Sequence, residues 1–181
     1  MQDDDEKDLV ARVRNRDPIA FEKLVGKFEH VMLRTAYRIV GQQADAEEIR
    51  QNVLVRIWQS PQRLPTTSPI GYWIRRCVIN EAITMLRRNE RDKRKENSSV
   101  EFRLAANELS SCGDEAESLS LAMNSLTPEQ RAILSLRFDD QLTIREIAKT
   151  LERPHTTIQS QLTRTIDQLR GLLKAPQRQE R

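Results

Sequence analysis

Thr156, Thr157, Ser160, Gln161, Arg164 and Gln168 recur at helical spacing near the end of the chain, and His155 stands just ahead of them. On one helix face such a set could read nucleic acid. An amide can pair with adenine in bidentate fashion, hydroxyls reach bases or phosphates, and a guanidinium takes guanine or phosphate. Ile158, Leu162, Thr165, Ile166, Leu169 and Leu173 fall on the other side and supply a buried stripe. A plain helical bundle whose polar side faces water is the competing reading. The tight turn before the helix and its nearly acid-free start favour a DNA major groove.

A second set lies upstream. Trp73, Arg76, Asn80, Thr84 and Arg87 follow one another by three or four residues, which places an indole, two guanidiniums, an amide and a hydroxyl on one strip. These groups can stack on bases, hold phosphate and bond base edges, as single-strand recognition requires. The plain alternative makes Trp73 half-buried core and the arginines solubilising charge. The basic run from Arg87 to Lys95 continues the same helix where a phosphate backbone would leave the strip.

The elements that position these sets follow from local signals. Thr127-Pro128 with Gln130, and Thr143 with Glu146, are capping boxes that open two helices before the recognition helix. Glu152-Arg153-Pro154 ends the second, so the order is helix, tight turn, longer helix, a helix-turn-helix pattern. Further upstream, Asp17-Pro18 starts a long helix that Gly41 stops, and Asp45 with Glu48 is expected to open another that buries Ile49, Val53 and Ile57. Residues 60–68, rich in Pro and Thr, read as a stiff irregular loop, and Ser68-Pro69 caps the helix that carries Ile70, Ile74, Val78 and Met85 inward.

The expected class is all-α: two small helical domains joined by a flexible linker, the C-terminal one a helix-turn-helix. The boundaries read from the sequence are 1–95 for the N-terminal domain, 96–113 for the linker, 114–174 for the C-terminal domain and 175–181 for a frayed tail. With 181 residues, 38% hydrophobic and 4% aromatic, two compact bundles fit better than one core. Net charge is +3, so its distribution matters more than its sum. Cys77 and Cys112 lie far apart with no CxxC, which argues against a zinc site and a disulfide framework. No apolar run reaches the length of a membrane span, the acidic N-terminus is unlike a signal peptide, and a reducing cytoplasm is the expected location. No phosphate-binding glycine loop, nucleophile motif or ligand cluster is present, so catalysis, cofactors and metals are not expected.

With both halves in view, the chain resembles the sigma-70 family of bacterial RNA polymerase sigma factors, in its extracytoplasmic-function group. Asp45-Ala46-Glu47-Glu48-Ile49-Arg50-Gln51 through Arg56-Ile57-Trp58 looks like that family's polymerase-binding helix. Tyr72-Trp73-Ile74 with Asn80 and Leu86-Arg87-Arg88 looks like its helix for the melted minus-10 element, and the stretch from Leu126 to Leu173 resembles its minus-35 domain. The resemblance implies that Asp45, Glu48, Gln51, Asn52 and Arg56 meet core polymerase. It implies that Arg63, Thr66, Thr67, Trp73, Arg76, Asn80, Thr84 and Arg87 meet the minus-10 strand, and that His155, Thr156, Thr157, Ser160, Gln161 and Arg164 meet the minus-35 element. The implied partners are the polymerase beta-prime clamp and beta flap, promoter DNA and an anti-sigma factor. This sequence departs from the pattern at Asn52, Thr84, Gln159, Gln161 and Glu152, the last standing where the turn glycine is usual. Two other readings compete: an autonomous helix-turn-helix regulator with an N-terminal sensor or dimerisation domain, and an adaptor with no DNA role.

Overall fold

The structure, a computed structural model, describes residues 2–66, 69–96, 119 and 121–174. Among them every regular element is helical. In chain order these are α1 (Gln2–Arg14), α2 (Pro18–Val40), α3 (Gln43–Gln59), a 3-10 turn (Pro61–Arg63), α4 (Ile70–Glu96), α5 (Pro128–Leu134), a π turn (Ser135–Asp139), α6 (Ile144–Leu151) and α7 (His155–Lys174).

The N-terminal half is built around α2, which packs against α1, α3 and α4. Asp17 starts it by accepting the amides of Ile19 at 2.9 Å and Ala20 at 3.2 Å, and Gly41 ends it at φ 80°, a left-handed conformation that costs glycine nothing. Leu24, Met32 and Ile39 of α2 meet Ile49, Val53 and Ile57 of α3 and Ile70, Ile74, Val78 and Ile79 of α4, all essentially solvent-free. Each such side chain contributes about 2 kcal/mol, so this shared apolar face outweighs any single cap. Cys77 lies at its margin, where burial pushes the thiol up to about 11.

Two local expectations need correction. Helix α3 begins at Gln43, with Gln42 as a cap whose side chain makes no bond, so Asp45 is a first-turn acid and the Asp45–Glu48 capping box does not form. Ala46, in the first turn of the helix, is fully buried and joins the apolar face of Ile49, Val53 and Ile57. The loop after it is also less irregular than its composition suggests: Pro61 and Leu64 are buried, and a 3-10 turn forms over Pro61–Arg63. Ser68, expected to cap α4, lies outside the described residues. The first amide of α4, that of Ile70, donates instead to Glu6 Oε1 of α1 at 2.8 Å.

The C-terminal half follows its local signals closely. Both capping boxes form, Thr127 with Gln130 and Thr143 with Glu146. Ala132, Ile133, Leu136, Ile147, Ile158 and Leu162 make the inner face of the bundle, although Leu173 is 47% exposed and stands outside it. Between α5 and α6 the helix widens, with the Asp140 amide donating to Ser135 five residues back at 3.1 Å. The two halves touch, and their buried apolar side chains form one connected core. The expected linker, beyond Glu96, and the expected tail lie outside the described residues.

Because the Thr143 hydroxyl caps α6 and also donates to Glu146, Thr143→Ala should lower stability by about 1 kcal/mol. Urea unfolding followed by circular dichroism checks this; an unchanged midpoint would mean that packing alone holds α6.

Candidate nucleic-acid interface

The strip along α4 keeps the face its spacing implies. Trp73 and Arg76 are half-buried, while Asn80, Thr84 and Arg87 are exposed. The Thr84 hydroxyl donates to the Asn80 carbonyl one turn back at 2.7 Å, so it is engaged within the helix. Arg63 and Thr66 are exposed in the preceding loop, and Thr67 lies outside the described residues.

That loop is held from α1. Arg14 donates to the carbonyls of Gln62 at 3.1 Å and Leu64 at 2.7 Å, and Gln62 Nε2 donates back to the Arg14 carbonyl at 3.1 Å. With Glu6 on the Ile70 amide, α1 grips both ends of the loop. A cavity of about 590 Å³ remains between them, lined by Glu6, Arg14, Asn15, Gln62, Thr66 and Pro69 among others.

On the recognition helix α7, His155, Thr156, Ser160, Arg164 and Gln168 are exposed and Thr157 is half-buried. Gln161 departs from the expectation that the whole polar set faces outward. Its Oε1 is buried without a hydrogen-bond partner, because Gln161 lies three residues after Ile158 and four before Thr165, both buried. Arg164 is therefore the long polar side chain of this face with free reach. The acid-free first turn leaves the helix N-terminus attractive to phosphate.

The expected partner set on α3 divides in two. Glu48 and Gln51 are exposed and Asp45 is half-buried, but Asn52 and Arg56 both reach Glu81 of α4. Their polar ends brace the helix pair. Sequence reasoning missed the apolar character of the same face: Val55 is 52% exposed, Trp58 38% and Ile19 59%, with the Phe21 and Trp58 rings 5.1 Å apart. Spacing could have found it, because Gln51, Val55 and Trp58 fall at i, i+4 and i+7 on the side away from Ile49, Val53 and Ile57. Such a patch suits a protein partner.

Basic groups of the N-terminal half meet acids of the C-terminal half across a common boundary. Asp140, whose side chain is 1% exposed, binds Arg34 of α2 and Arg75 of α4, the latter at 2.8 Å. Gly71 makes room for this, since a Cβ there would stand 3.1 Å from Arg75 Nη1. Arg38 pairs with Asp139 at 3.2 Å, Arg87 with Glu129 at 2.9 Å, and Arg76 with Glu152. Tyr72 donates to Glu146 at 2.9 Å. Burial, then this bond, pushes the tyrosine pKa up, whereas the Thr143 hydroxyl and amide, with Tyr72 behind them, hold the Glu146 carboxyl below the usual glutamate range.

Among the described residues no cluster of ligating side chains could hold a metal, and no helix is long and apolar enough to cross a membrane. Two family descriptions match the chain, "Sigma-70 region 2" over residues 24–92 and "Sigma-70, region 4" over residues 122–171. The ECF RNA polymerase sigma factor SigE of Mycolicibacterium smegmatis is 30% identical over 170 residues, which is 85% of this chain and 62% of that relative. SigW of Bacillus subtilis, another ECF sigma factor, is 23% identical over 180 residues, 93% of this chain and 96% of SigW. The fold is similar to that of the sigma factor RpoE in its complex with the anti-sigma factor NepR from Bartonella quintana, with a TM-score of 0.69 at 18% identity over 86% of this chain and 98% of that one. CnrH in complex with the cytosolic domain of CnrY gives a TM-score of 0.66 at 22% identity, covering 94% and 98%.

The depressed pKa of Glu146 has a definite sign. A carboxyl that binds its proton less readily in the folded chain contributes stability in full above the ordinary glutamate pKa and loses it as pH falls through the lowered value. Thermal midpoints measured from about pH 6 to pH 3 should therefore fall less steeply for Glu146→Gln than for the native chain; parallel curves would show that the carboxylate is not what titrates.

Proposed function

Because the chain belongs to the sigma-70 family of RNA polymerase sigma factors, in its extracytoplasmic-function group, we propose that it acts as a promoter-specificity subunit recruiting core polymerase to a defined set of promoters. The observation that carries this reading is the pairing of two DNA-type surfaces, the α4 strip and the outer face of α7, in the order and within the spans of the two matching regions. Asn80, Trp73 and the loop bearing Arg63, Thr66 and Thr67 take the melted minus-10 strand. His155, Thr156, Thr157, Ser160 and Arg164 enter the minus-35 major groove, with Arg164 and the hydroxyls supplying most of the reach and Gln161 at the partly buried margin of the face.

Glu48, Gln51, Val55 and Trp58 form the contact with the polymerase clamp, supported by the exposure of this mixed polar and apolar face. Asp45 lies beside it, while Asn52 and Arg56 act through Glu81 by fixing α3 on α4. The C-terminal bundle, from about residue 114 to residue 174, takes the beta flap. The chain performs no chemistry of its own; phosphodiester synthesis belongs to the polymerase, and the complex works in the cytoplasm where the chromosome is. An anti-sigma factor is a fitting regulator, since the similar RpoE structure is of a complex with the anti-sigma factor NepR. The reading as an autonomous regulator is not favoured, because its sensor domain would occupy the segment that matches region 2.

Addition of the protein to bacterial core polymerase should yield initiation at specific promoters, and the absence of any promoter-dependent transcript would refute the proposal. Combined Trp73→Ala and Asn80→Ala substitution should reduce promoter opening at least tenfold, the loss of one or two base contacts of about 1–3 kcal/mol each, while core binding persists. Loss of core binding would reassign both residues to the fold. Arg164→Ala should weaken minus-35 binding and, if its contact is with phosphate, lower the slope of log affinity against log salt by about one for every sequence tested. A changed base preference at one position would instead assign it to a base edge.

A further inference from the structure

Helix α1 carries none of the side chains assigned to DNA, yet its polar groups hold both pieces of backbone that present them. Arg14 Nη1 donates to the carbonyls of Gln62 at 3.1 Å and Leu64 at 2.7 Å, the residues on either side of Arg63, and Gln62 Nε2 closes the ring by donating to the Arg14 carbonyl at 3.1 Å. Leu64 is buried while Arg63 is exposed, so these bonds fix a turn whose apolar side faces the core and whose cation faces out. Toward the other end of α1, Glu6 Oε1 accepts the amide of Ile70, the first residue of α4, at 2.8 Å, and Trp73 stands one turn further on. Arg63 and Trp73 line the same cleft, of about 840 Å³.

The helix is itself held firmly enough to act as a reference. Val10 and Val13 are buried in the N-terminal core, and Arg12 reaches Asp17 Oδ2 through Nε at 2.9 Å and Nη2 at 2.7 Å, the same aspartate that caps α2. Glu6 Oε2 accepts Lys27 of α2 at 2.9 Å, so both ends of α1 are tied to the central helix. A little over two turns separate the anchors Glu6 and Arg14, about 12 Å of axial rise that the helix does not let vary. Packing does not fix the loop in the same way, because the cavity of about 590 Å³ lies between Pro65, Thr66 and Pro69 on one side and Val10 and Ala11 on the other. A segment lying over a void is placed by its end contacts rather than by side-chain fit.

We propose that Arg14 and Glu6 are positioning residues for minus-10 recognition, with α1 acting as a strap that sets the gap between Arg63 and Trp73 and so selects which unpaired base is accepted there. This rests on the reading of the loop and the α4 strip as DNA-facing. Neither residue touches the strand; each acts through backbone that carries a contacting side chain. A base held between a guanidinium and an indole stacks on one and is bonded or stacked by the other, so a larger purine and a smaller pyrimidine respond differently to their separation. Loosening the strap therefore broadens the range of bases tolerated at one position instead of weakening every promoter alike.

The test uses the full chain with bacterial core polymerase and promoters that carry each base in turn at every minus-10 position, read as the rate of open-complex formation. Arg14→Ala and Glu6→Ala should each reduce the ratio of best to worst base at the same position by about threefold or more, a part of the roughly tenfold that one base contact supplies, while core binding and minus-35 affinity hold. A ratio taken within one preparation does not depend on the fraction that is folded, so partial destabilisation leaves it readable. Glu6→Gln keeps an acceptor for the Ile70 amide and should retain the native ratio. Gln62→Ala releases the grip from the exposed, loop side and should soften the position that Arg14→Ala softens. An equal fall for all four bases, or an unchanged ratio, would overturn the proposal and leave α1 as scaffold alone; softening of different positions by Arg14→Ala and Gln62→Ala would overturn the shared anchor. Failure of the underlying functional reading is separate: the native chain itself would then give no promoter-dependent transcript, or no base preference within the minus-10 element.

Discussion

One buried carboxylate sets the relation between the halves of this molecule. Asp140 is withdrawn from water, and a lone charge in that position would be intolerable without partners. Arg34 and Arg75 come from two helices that are themselves fixed by the N-terminal core, so they meet the carboxylate from a rigid frame. The geometry requires a widened turn after α5. A regular α-helix through 135–139 would rotate Asp139 and Asp140 away from this boundary, and the five-residue hydrogen bond to Ser135 turns both toward it.

The rest of the boundary is arranged around that contact. Tyr72 reaches Glu146, the same glutamate that completes the capping box of α6, so the start of the first helix-turn-helix element is tied to the middle of the molecule. Gly71 admits the folded-back guanidinium of Arg75. The apolar cores of the two halves join beneath these polar contacts, which means that separating them exposes hydrophobic surface as well as charge.

What could be read from the sequence was mainly what is local. The Asp17 cap, the Gly41 stop and both capping boxes involve residues within four positions of one another, and all form as their spacing implies. The start of α3 is not legible in this way, because Asp45 and Glu48 carry a capping pattern while the helix begins at Gln43 with no side-chain cap. Gln161 was assigned outward by residue type, although its spacing from Ile158 and Thr165 already placed it near the buried side. Contacts between distant positions had no local signature at all: Glu6 on the Ile70 amide, Glu81 between Asn52 and Arg56, and the arginine pairs of Asp140 join residues brought together only by the fold. Glu152 lies between these cases, visible beforehand as an odd residue at a glycine position, and only the fold brings it to Arg76.

The grip of α1 on the loop before α4 bears on how such a protein changes over time. Arg14 anchors the near end of the loop and Glu6 the far end, so both ends are placed by a helix outside the proposed DNA-contact set. On the proposed function, drift in α1 retunes which nucleotide the loop accepts while each contacting side chain stays the same. Two descendants with identical proposed contact residues would then differ in promoter preference through a helix outside that set.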